Sequence, residues 1–142
     1  MNKFLTAELI GKSSRLLSNN LSQKLSAKKL QLTTEQWIIL QILSSGSKSQ
    51  KELGLITLKN KASINSLISN LLKLGLVTKT VSKTDKRTTI ISTTDSGIEL
   101  KNEANKVASS SINVALDEFS KNEIEQLNEF LNKIINKLLK EK

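Results

Sequence analysis

The sequence predicts a mainly α-helical fold of the α+β class, in one compact domain. Apolar residues recur at spacings of three and four over most of the chain, which is the period of amphipathic helices. Residues 77–93 instead alternate and are rich in β-branched residues, which is typical of two strands. A chain of 142 residues buries about two-thirds of the surface that its unfolded form exposes, so one core, or one core and a dimer seam, is expected.

The N-terminal third predicts two helices. Leucines at helical spacing between Leu5 and Leu25 form one apolar stripe, and the other faces of this segment are polar. Thr33 then supplies an N-cap hydroxyl, with Gln36 three residues later and an apolar run from Trp37 to Leu43, so a second helix begins here. The serines and glycine of residues 44–47 end it.

Two further helices are predicted in the middle of the chain. The first runs from about Ser49, whose hydroxyl can cap it, to Thr57, with Leu53 and Ile56 facing inward. The second covers residues 60–74 and ends at Gly75, a C-terminal cap position. Its apolar residues lie at helical spacing and are Ile64, Leu67, Ile68, Leu71 and Leu74. Its outward face holds Lys, Ser and Asn and no acidic residue.

The remainder predicts a hairpin and a helical C-terminus. Residues 77–82 and 88–93 are the two strands, and the polar residues 83–87 join them. Helix resumes from a cap near Thr94 to Lys142, with a break near Ser120. The last helix carries a broad apolar stripe formed by Ile124, Leu127, Phe130, Leu131, Ile134, Ile135, Leu138 and Leu139.

Composition excludes several classes of function. The chain has no Cys, His, Pro or Tyr, and 4 aromatic residues, three Phe and one Trp. Without Cys there is no disulfide framework, thiolate nucleophile or thiol sensor, and without His the commonest general base and metal ligand are missing. We therefore expect no catalytic residues, no metal site and no cofactor, and we expect the protein not to be an enzyme.

The positive charge is concentrated in the middle of the chain. The formal net charge is +9, and it divides into +4 for residues 1–47, +7 for residues 48–90 and −2 for residues 91–142. An excess of this kind attracts polyanions. The longest apolar run, residues 37–40, is far too short to span a bilayer. With no signal-peptide pattern at the N-terminus, a cytoplasmic location without membrane contact is expected.

Three helices followed by a hairpin, with a basic third helix, give the element order of a winged helix-turn-helix. A helix fits the major groove of B-DNA, where base edges carry a distinguishing pattern of donors and acceptors. A flanking hairpin reaches phosphates or the minor groove. This order therefore predicts binding to double-stranded DNA.

The sequence also resembles the MarR family of bacterial transcriptional regulators over nearly its whole length. Residues 32–37 look like that family's second-helix opening, and residues 49–53 look like its third-helix start. Residues 63–77 are similar to its recognition helix and exit. Asp85-Lys86-Arg87 matches the Asp-x-Arg of the wing tip, and residues 94–97 match the Thr-x-x-Gly that opens the next helix.

The resemblance implies a homodimer in which the first and last helices of both chains interlock. It divides the chain into an N-terminal dimerisation helix (1–30), a winged helix-turn-helix (31–94) and C-terminal dimerisation helices (95–142). A two-fold dimer would read an inverted-repeat operator. The resemblance implies a regulator, expected to be a repressor, that a small aromatic or lipophilic effector can modulate. The alternative is a winged-helix protein-interaction or nucleoid-structuring module without a defined operator or effector.

The candidate DNA-binding residues share the basic middle segment. They are Lys48, Ser49, Lys51, Lys59, Lys61, Ser63, Asn65, Ser66, Asn70, Lys83, Lys86 and Arg87. Asn65 can pair with adenine through two hydrogen bonds. Lys48, Lys51 and Lys59 are expected either to contact phosphates or to be plain surface residues. An ordinary solvated helix face is the alternative for the helical residues. Family members often place Arg where this chain has Ser66, which suggests an A·T-rich site or heavier reliance on the wing.

Arg87 is one of 2 arginines in the chain, against 20 lysines. A planar, weakly hydrated guanidinium suits a narrow and electronegative minor groove, with a solvated turn arginine as the alternative. Asp85 is expected to shape the turn or orient Arg87, because phosphates repel a carboxylate. For a ligand site the candidates are Arg15, which could instead pair with a glutamate, and Trp37, which we interpret first as a core or dimer-seam anchor.

Overall fold

The computed structural model describes residues 2–141 and confirms the predicted mainly helical fold with one small sheet. In chain order the elements are α1 (Lys3–Ala27), α2 (Thr34–Leu43), β1 (Lys48–Ser49), α3 (Gln50–Thr57), α4 (Lys61–Lys73), β2 (Val77–Val81), β3 (Thr89–Thr93), α5 (Asp95–Leu116) and α6 (Lys121–Leu139). The predicted break near Ser120 is confirmed, since this residue caps α6. The last helix ends at Leu139 and Lys140 is its C-terminal cap, so it stops short of the predicted end at Lys142, a residue that lies outside the described range.

Local capping signals explain where most helices begin. The Thr33 hydroxyl accepts from the backbone N–H of Gln36, whose side chain accepts from the backbone N–H of Thr33 in return. The same reciprocal pair links Ser49 with Glu52. Each pair satisfies two backbone donors that the first helical turn leaves without partners.

The sheet has three strands, whereas the sequence predicts two. All pairings are antiparallel, in the order β1-β3-β2. In the added pairing, Lys48 lies opposite Ile91 and Ser49 lies opposite Ile90. A strand of two residues is too short to show an alternating pattern, and this explains why sequence reasoning misses it. Its effect is to fasten the start of α3 to the middle of β3.

One core joins α2, α3, α4, the sheet and the adjoining halves of α1 and α5. Its fully buried members include Leu25, Ile39, Leu53, Ile68 and Ile91. Ile56 is an exception to the sequence expectation, because it is exposed rather than turned inward. On the short helix α3 a single apolar position, Leu53, is enough to reach the core.

The two ends of the chain stay outside this core. In α1 the leucines of the C-terminal half, Leu21 and Leu25, are buried, whereas Leu5 and Leu9 are exposed. In α6 no residue is buried. Both helices therefore present apolar stripes that the single chain does not cover.

Candidate nucleic-acid interface

Helix α4 presents a polar, acid-free face beside the sheet. Its apolar residues Ile64, Leu67, Ile68 and Leu71 are buried in the core, which fixes the rotation of the helix. Asn60 caps it by accepting from the backbone N–H of Ser63 at 2.8 Å. The face opposite the core carries five of the candidate residues, all exposed: Lys61, Ser63, Asn65, Ser66 and Asn70.

Asn65 has a partner that sequence reasoning did not select. The side-chain nitrogen Nε2 of Gln50, the first residue of α3, donates a hydrogen bond to Oδ1 of Asn65. This contact leaves the amide nitrogen of Asn65 free to donate and the amide oxygen of Gln50 free to accept. One donor beside one acceptor is the complement of the major-groove edge of adenine.

The wing tip is held by a carboxylate turn. Oδ1 of Asp85 accepts from the backbone N–H of Arg87 at 3.0 Å, and Oδ2 accepts from the hydroxyl of Thr88 at 3.2 Å. The Nε atom of Arg87 lies 3.6 Å from Oδ1 of Asp85, and the arginine side chain is 94% exposed. Asp85 therefore shapes the turn, as the sequence predicts, and Arg87 extends into solvent. Lys83 and Lys86 are exposed beside it.

Three candidates around α3 are placed differently from one another. Lys51 is exposed, and Lys48 is half-buried in β1. Ser49 is buried, and its hydroxyl accepts from the backbone N–H of Glu52 at 3.0 Å. This hydroxyl is thus occupied by the helix cap and does not belong to the exposed polar face.

Lys59 is engaged in an ion pair. Its Nζ lies 2.9 Å from Oε1 of Glu35, which links the turn before α4 to the start of α2. A lysine held in this way offers less of its charge to a phosphate than Lys61, for which the described residues provide no ion-pair partner within 4 Å.

Both acidic residues of the segment 48–90 are turned toward the backbone of their own chain. The backbone N–H of Ser49, and then its hydroxyl, hold the pKa of the Glu52 carboxyl below its ordinary value. The other acid, Asp85, accepts from the wing backbone. The exposed charge of this face is therefore the positive charge of its lysines and Arg87.

The two ligand candidates, Arg15 and Trp37, do not share a site. Arg15 is exposed on α1, and its guanidinium folds back over Gly11 of the same helix. The indole N–H of Trp37 donates to Oδ1 of Asn105 at 2.8 Å, and the ring packs against the core. This position fits the core interpretation of Trp37, in which the residue ties α2 to α5.

Neither membrane spans nor metal clusters occur in the described part of the chain. Within residues 2–141 no helix is both long and apolar enough to cross a bilayer. Within the same residues no group of three acidic side chains is placed to hold a metal ion.

One protein-family model matches this chain. A family model described as "Transcriptional regulator SarA/Rot" matches residues 22–104, from the buried half of α1 into α5. No curated protein matches the sequence.

Solved structures share the fold over nearly the whole chain. The transcriptional regulator BldR from Sulfolobus solfataricus is 26% identical with a TM-score of 0.86, over 95% of both chains. MepR from S. aureus, solved in a complex with DNA, is 23% identical with a TM-score of 0.80, over 92% of this chain and 96% of that one. A mutant MarR from E. coli, solved with operator DNA, is 18% identical with a TM-score of 0.82, over 90% and 91%.

Proposed function

Because the chain belongs to the SarA/Rot family of transcriptional regulators, we propose that it binds an inverted-repeat operator as a homodimer and represses transcription. The winged-helix fold and the resemblance to MarR-type regulators predicted from the sequence are confirmed. The chain is thus a winged-helix regulator of transcription. The residues that read DNA, the dimer, the direction of regulation and the effector are the proposed part.

One observation carries the proposal about DNA. The exposed face of α4 has no acidic residue, and the hairpin beside it ends in a solvent-exposed arginine. Such a face can enter the major groove while the wing follows the phosphates or the minor groove. In this arrangement Lys61 and Lys51 contact phosphates, Asn65 with Gln50 reads a base edge, and Arg87 enters the minor groove.

The dimer is supported by the uncovered stripes at both ends of the chain. Exposed large apolar residues on α1 include Phe4, Leu9 and Leu16, and those on α6 include Leu127 and Phe130. Contiguous apolar surface of this kind marks an interaction site. In a two-fold dimer α1 and α6 of both chains would cover each other, and the two α4 helices would lie about 34 Å apart.

The proposal divides the chain by role. Residues 1–30 and 95–142 form the dimerisation helices, and residues 31–94 form the DNA-binding unit. The chain is proposed to regulate without catalysis, since the exposed polar groups of α4 and the wing suit contacts to phosphates and bases. A protein that binds promoter DNA acts in the compartment that holds the chromosome, which supports the cytoplasmic assignment.

The competing function is a winged-helix module for protein interaction or nucleoid structure, without a defined operator. It would share the basic face but show little preference among DNA sequences. The paired amides of Gln50 and Asn65 favour the regulator, because fixed donors and acceptors discriminate between base edges.

Selection of genomic DNA fragments by the purified protein tests the proposal. A shared inverted repeat in the retained fragments is expected. Its affinity should exceed that of a shuffled sequence and should fall steeply with salt, because bound cationic side chains release condensed counterions. Retention of fragments without a common sequence would favour the nucleoid module, and a flat salt response would contradict DNA binding through this face.

A further inference from the structure

A cluster of lysines at the corner between α1 and α2 lies outside the candidate interface described above. Lys24 is in the last turn of α1, Lys28 is the C-terminal cap of that helix, and Lys29 follows it. Lys28 and Lys29 are exposed, and Lys24 is half-buried. Residues 9–34 contain no acidic residue, and within residues 2–141 none of the three lysines has an ion-pair partner within 4 Å. The corner therefore carries uncompensated positive charge.

Lys29 has a backbone conformation that lysine does not favour. Its φ is 57°, in the left-handed region, where a residue with a Cβ is strained. The backbone N–H of Leu30 donates to the carbonyl oxygen of Leu25, and that of Lys29 donates to the carbonyl oxygen of Ser26. These two bonds form a Schellman motif, in which glycine is the usual residue at the position of Lys29. The lysine is thus unfavourable for the turn itself, which points to a use for its charge.

The dipole of α1 does not account for the whole cluster. A cation in the last turn of a helix is stabilised by the helix dipole, and this explains one lysine at this place. Lys24 and Lys28 are four positions apart, however, so their charges are neighbours and repel each other. Lys29 adds a third charge and a strained backbone. The cluster lowers the stability of the corner, and this favours a role in binding an anion.

The corner is tied to the start of α2. The hydroxyl oxygen of Thr34 lies 2.8 Å from that of Ser22 on α1, and it lies 3.4 Å from the carbonyl oxygen of Ser18. Lys29 is five positions before Thr34, so the chain between them spans at most about 18 Å. The exposed lysines of the corner therefore stay close to the first turn of α2.

The start of α2 is tied in turn to the start of α4. Glu35 holds the Nζ atom of Lys59 at 2.9 Å, and Lys59 lies two positions before Lys61, the first residue of α4. The first turns of a recognition helix are the part that meets base edges in the major groove. A basic corner at this end of the unit is within reach of the phosphates that flank the contacted bases.

We propose that Lys28 and Lys29 form a further phosphate-binding site, which holds the DNA backbone beside the bases contacted by α4. This inference rests on the proposed function and adds a contact that neither α4 nor the wing supplies. A phosphate carries no base identity, so the site raises the affinity for operator and random DNA alike. The ligand is a duplex rather than a free anion, because one exposed ion pair is weak in water and gains strength only beside other phosphate contacts.

The first experiment compares two double variants with the same change in charge. Lys28→Gln/Lys29→Gln removes the proposed site, and Lys106→Gln/Lys121→Gln removes two exposed lysines of α5 and α6. Fluorescence anisotropy measures binding of each full-length variant to a random-sequence duplex at several salt concentrations. The first variant should reduce the slope of log affinity against log salt by about two per chain, and the second should stay near the wild type. Equal slopes for the two variants would overturn the site.

Lys29→Gly separates binding from stability. Glycine removes both the charge and the backbone strain, so the midpoint of thermal unfolding should rise by about 3 °C while DNA affinity falls about threefold. Leu58→Gly is the matched control, because Leu58 is exposed and has a φ of 58° but carries no charge. It should raise the midpoint and leave the salt slope unchanged. A more stable Lys29→Gly that binds DNA as tightly as the wild type would overturn the role of Lys29.

Ethylation of single phosphates locates the contact on the operator found by fragment selection. Ethylation removes the charge of a phosphate, so it interferes with binding wherever the protein contacts that phosphate. The wild type should show interfering phosphates that disappear from the pattern of Lys28→Gln/Lys29→Gln, and identical patterns would overturn the site. A wild type that binds no duplex at all would instead contradict the proposed function, and the corner site with it.

Discussion

The side-chain nitrogen of Gln50 donates a hydrogen bond to Oδ1 of Asn65, so the first residue of α3 fixes the amide of a residue on the second turn of α4. Asn65 is exposed, and Gln50 is half-buried. The contact gives the exposed face of α4 a defined pattern of one donor and one acceptor. Two amides held in this way lose less side-chain entropy on binding a base than two free ones.

Gln50→Ala and Asn65→Ala should therefore act as a unit. Each substitution alone is expected to cost about 1–3 kcal/mol of discrimination between the operator and an operator with the contacted base changed. The double variant should cost clearly less than the sum, because either single change already removes the paired geometry. Fluorescence anisotropy with matched and mismatched duplexes measures the cycle. Equal loss of affinity for operator and random DNA would contradict the assignment of base reading to this pair.

Arg87→Ala should weaken operator binding about tenfold and reduce the dependence of affinity on salt by about one counterion. Arg15→Ala is the matched control, since Arg15 is the other arginine and lies on α1 away from the DNA-binding unit. Arg87→Lys keeps the charge but loses the planar guanidinium, so an intermediate loss is expected if the side chain enters the minor groove. Full recovery with lysine would instead indicate an ordinary phosphate contact.

Elements marked by local signals are the part of the fold that the sequence predicts well. The capping residues Thr33, Ser49, Thr94 and Ser120 each lie directly before the helix that they start, and their acceptor atoms bind backbone groups three residues away. Such contacts depend on sequence spacing alone. The buried stripe of α4 is predicted for the same reason, because the helical spacing of its apolar residues can be recognised within that one segment of the sequence.

Features that depend on distant contacts are not predicted. Strand β1 exists because Lys48 and Ser49 pair with residues of β3 that are more than forty positions away in the sequence. Two residues are also too few to show the alternating pattern of a strand. The role of Gln50 depends on a contact across 15 positions, and that of Trp37 on one across 68 positions. The exposure of Ile56 follows from how α3 is rotated, which Leu53 and the neighbouring elements determine.

Phe130→Asp is expected to convert the proposed dimer into a monomer. Phe130 is 51% exposed on α6, a helix in which no residue is buried within the single chain. In a two-fold interface each substitution occurs twice, and burial of one such side chain is worth about 1.5–3 kcal/mol, before the cost of burying a carboxylate is added. Ile56→Asp is the control, because Ile56 has nearly the same exposure and lies on α3. Sedimentation velocity reports the masses, and a monomeric wild type would contradict the proposed dimer.

Acid should loosen the starts of α3 and α6. The backbone N–H of Ser49 and that of Ser120 hold the pKa of Glu52 and of Glu123 below the ordinary value of 4.5. A lowered pKa in the folded state contributes stability above 4.5, and this contribution is lost as the pH falls through the lowered value. The midpoint of thermal unfolding is measured from neutral pH to below 4.5. It should fall less with acid in Glu52→Gln and in Glu123→Gln than in the wild type, because the amide keeps the hydrogen bond and does not titrate. Glu8→Gln, a change outside any capping box, should follow the wild type.

Gly97→Ala is expected to destabilise the fold strongly, because among the five glycines Gly97 is the one whose added Cβ would overlap neighbouring atoms. A Cβ at Gly97 would lie 2.2 Å from the carbonyl oxygen of Leu76 and 2.7 Å from Cγ2 of Thr93. That carbonyl cannot retreat easily, because it accepts from the backbone N–H of Thr94 at 3.0 Å. Forcing a methyl group into such a contact costs about 3 kcal/mol, or roughly 10 °C in the midpoint of thermal unfolding.

Gly54→Ala is the matched control, because it makes the same chemical change within α3. A Cβ at Gly54 would lie 3.5 Å from Cγ1 of Ile64 and from the carbonyl oxygen of Lys59, which is ordinary contact. Alanine also favours the helical backbone over glycine by about 1 kcal/mol, so this substitution should raise the midpoint of unfolding. The two variants are compared at equal protein concentration, since the stability of a dimer depends on it. Opposite signs are expected, and a neutral Gly97→Ala would show that α5 can move away from Leu76 without loss.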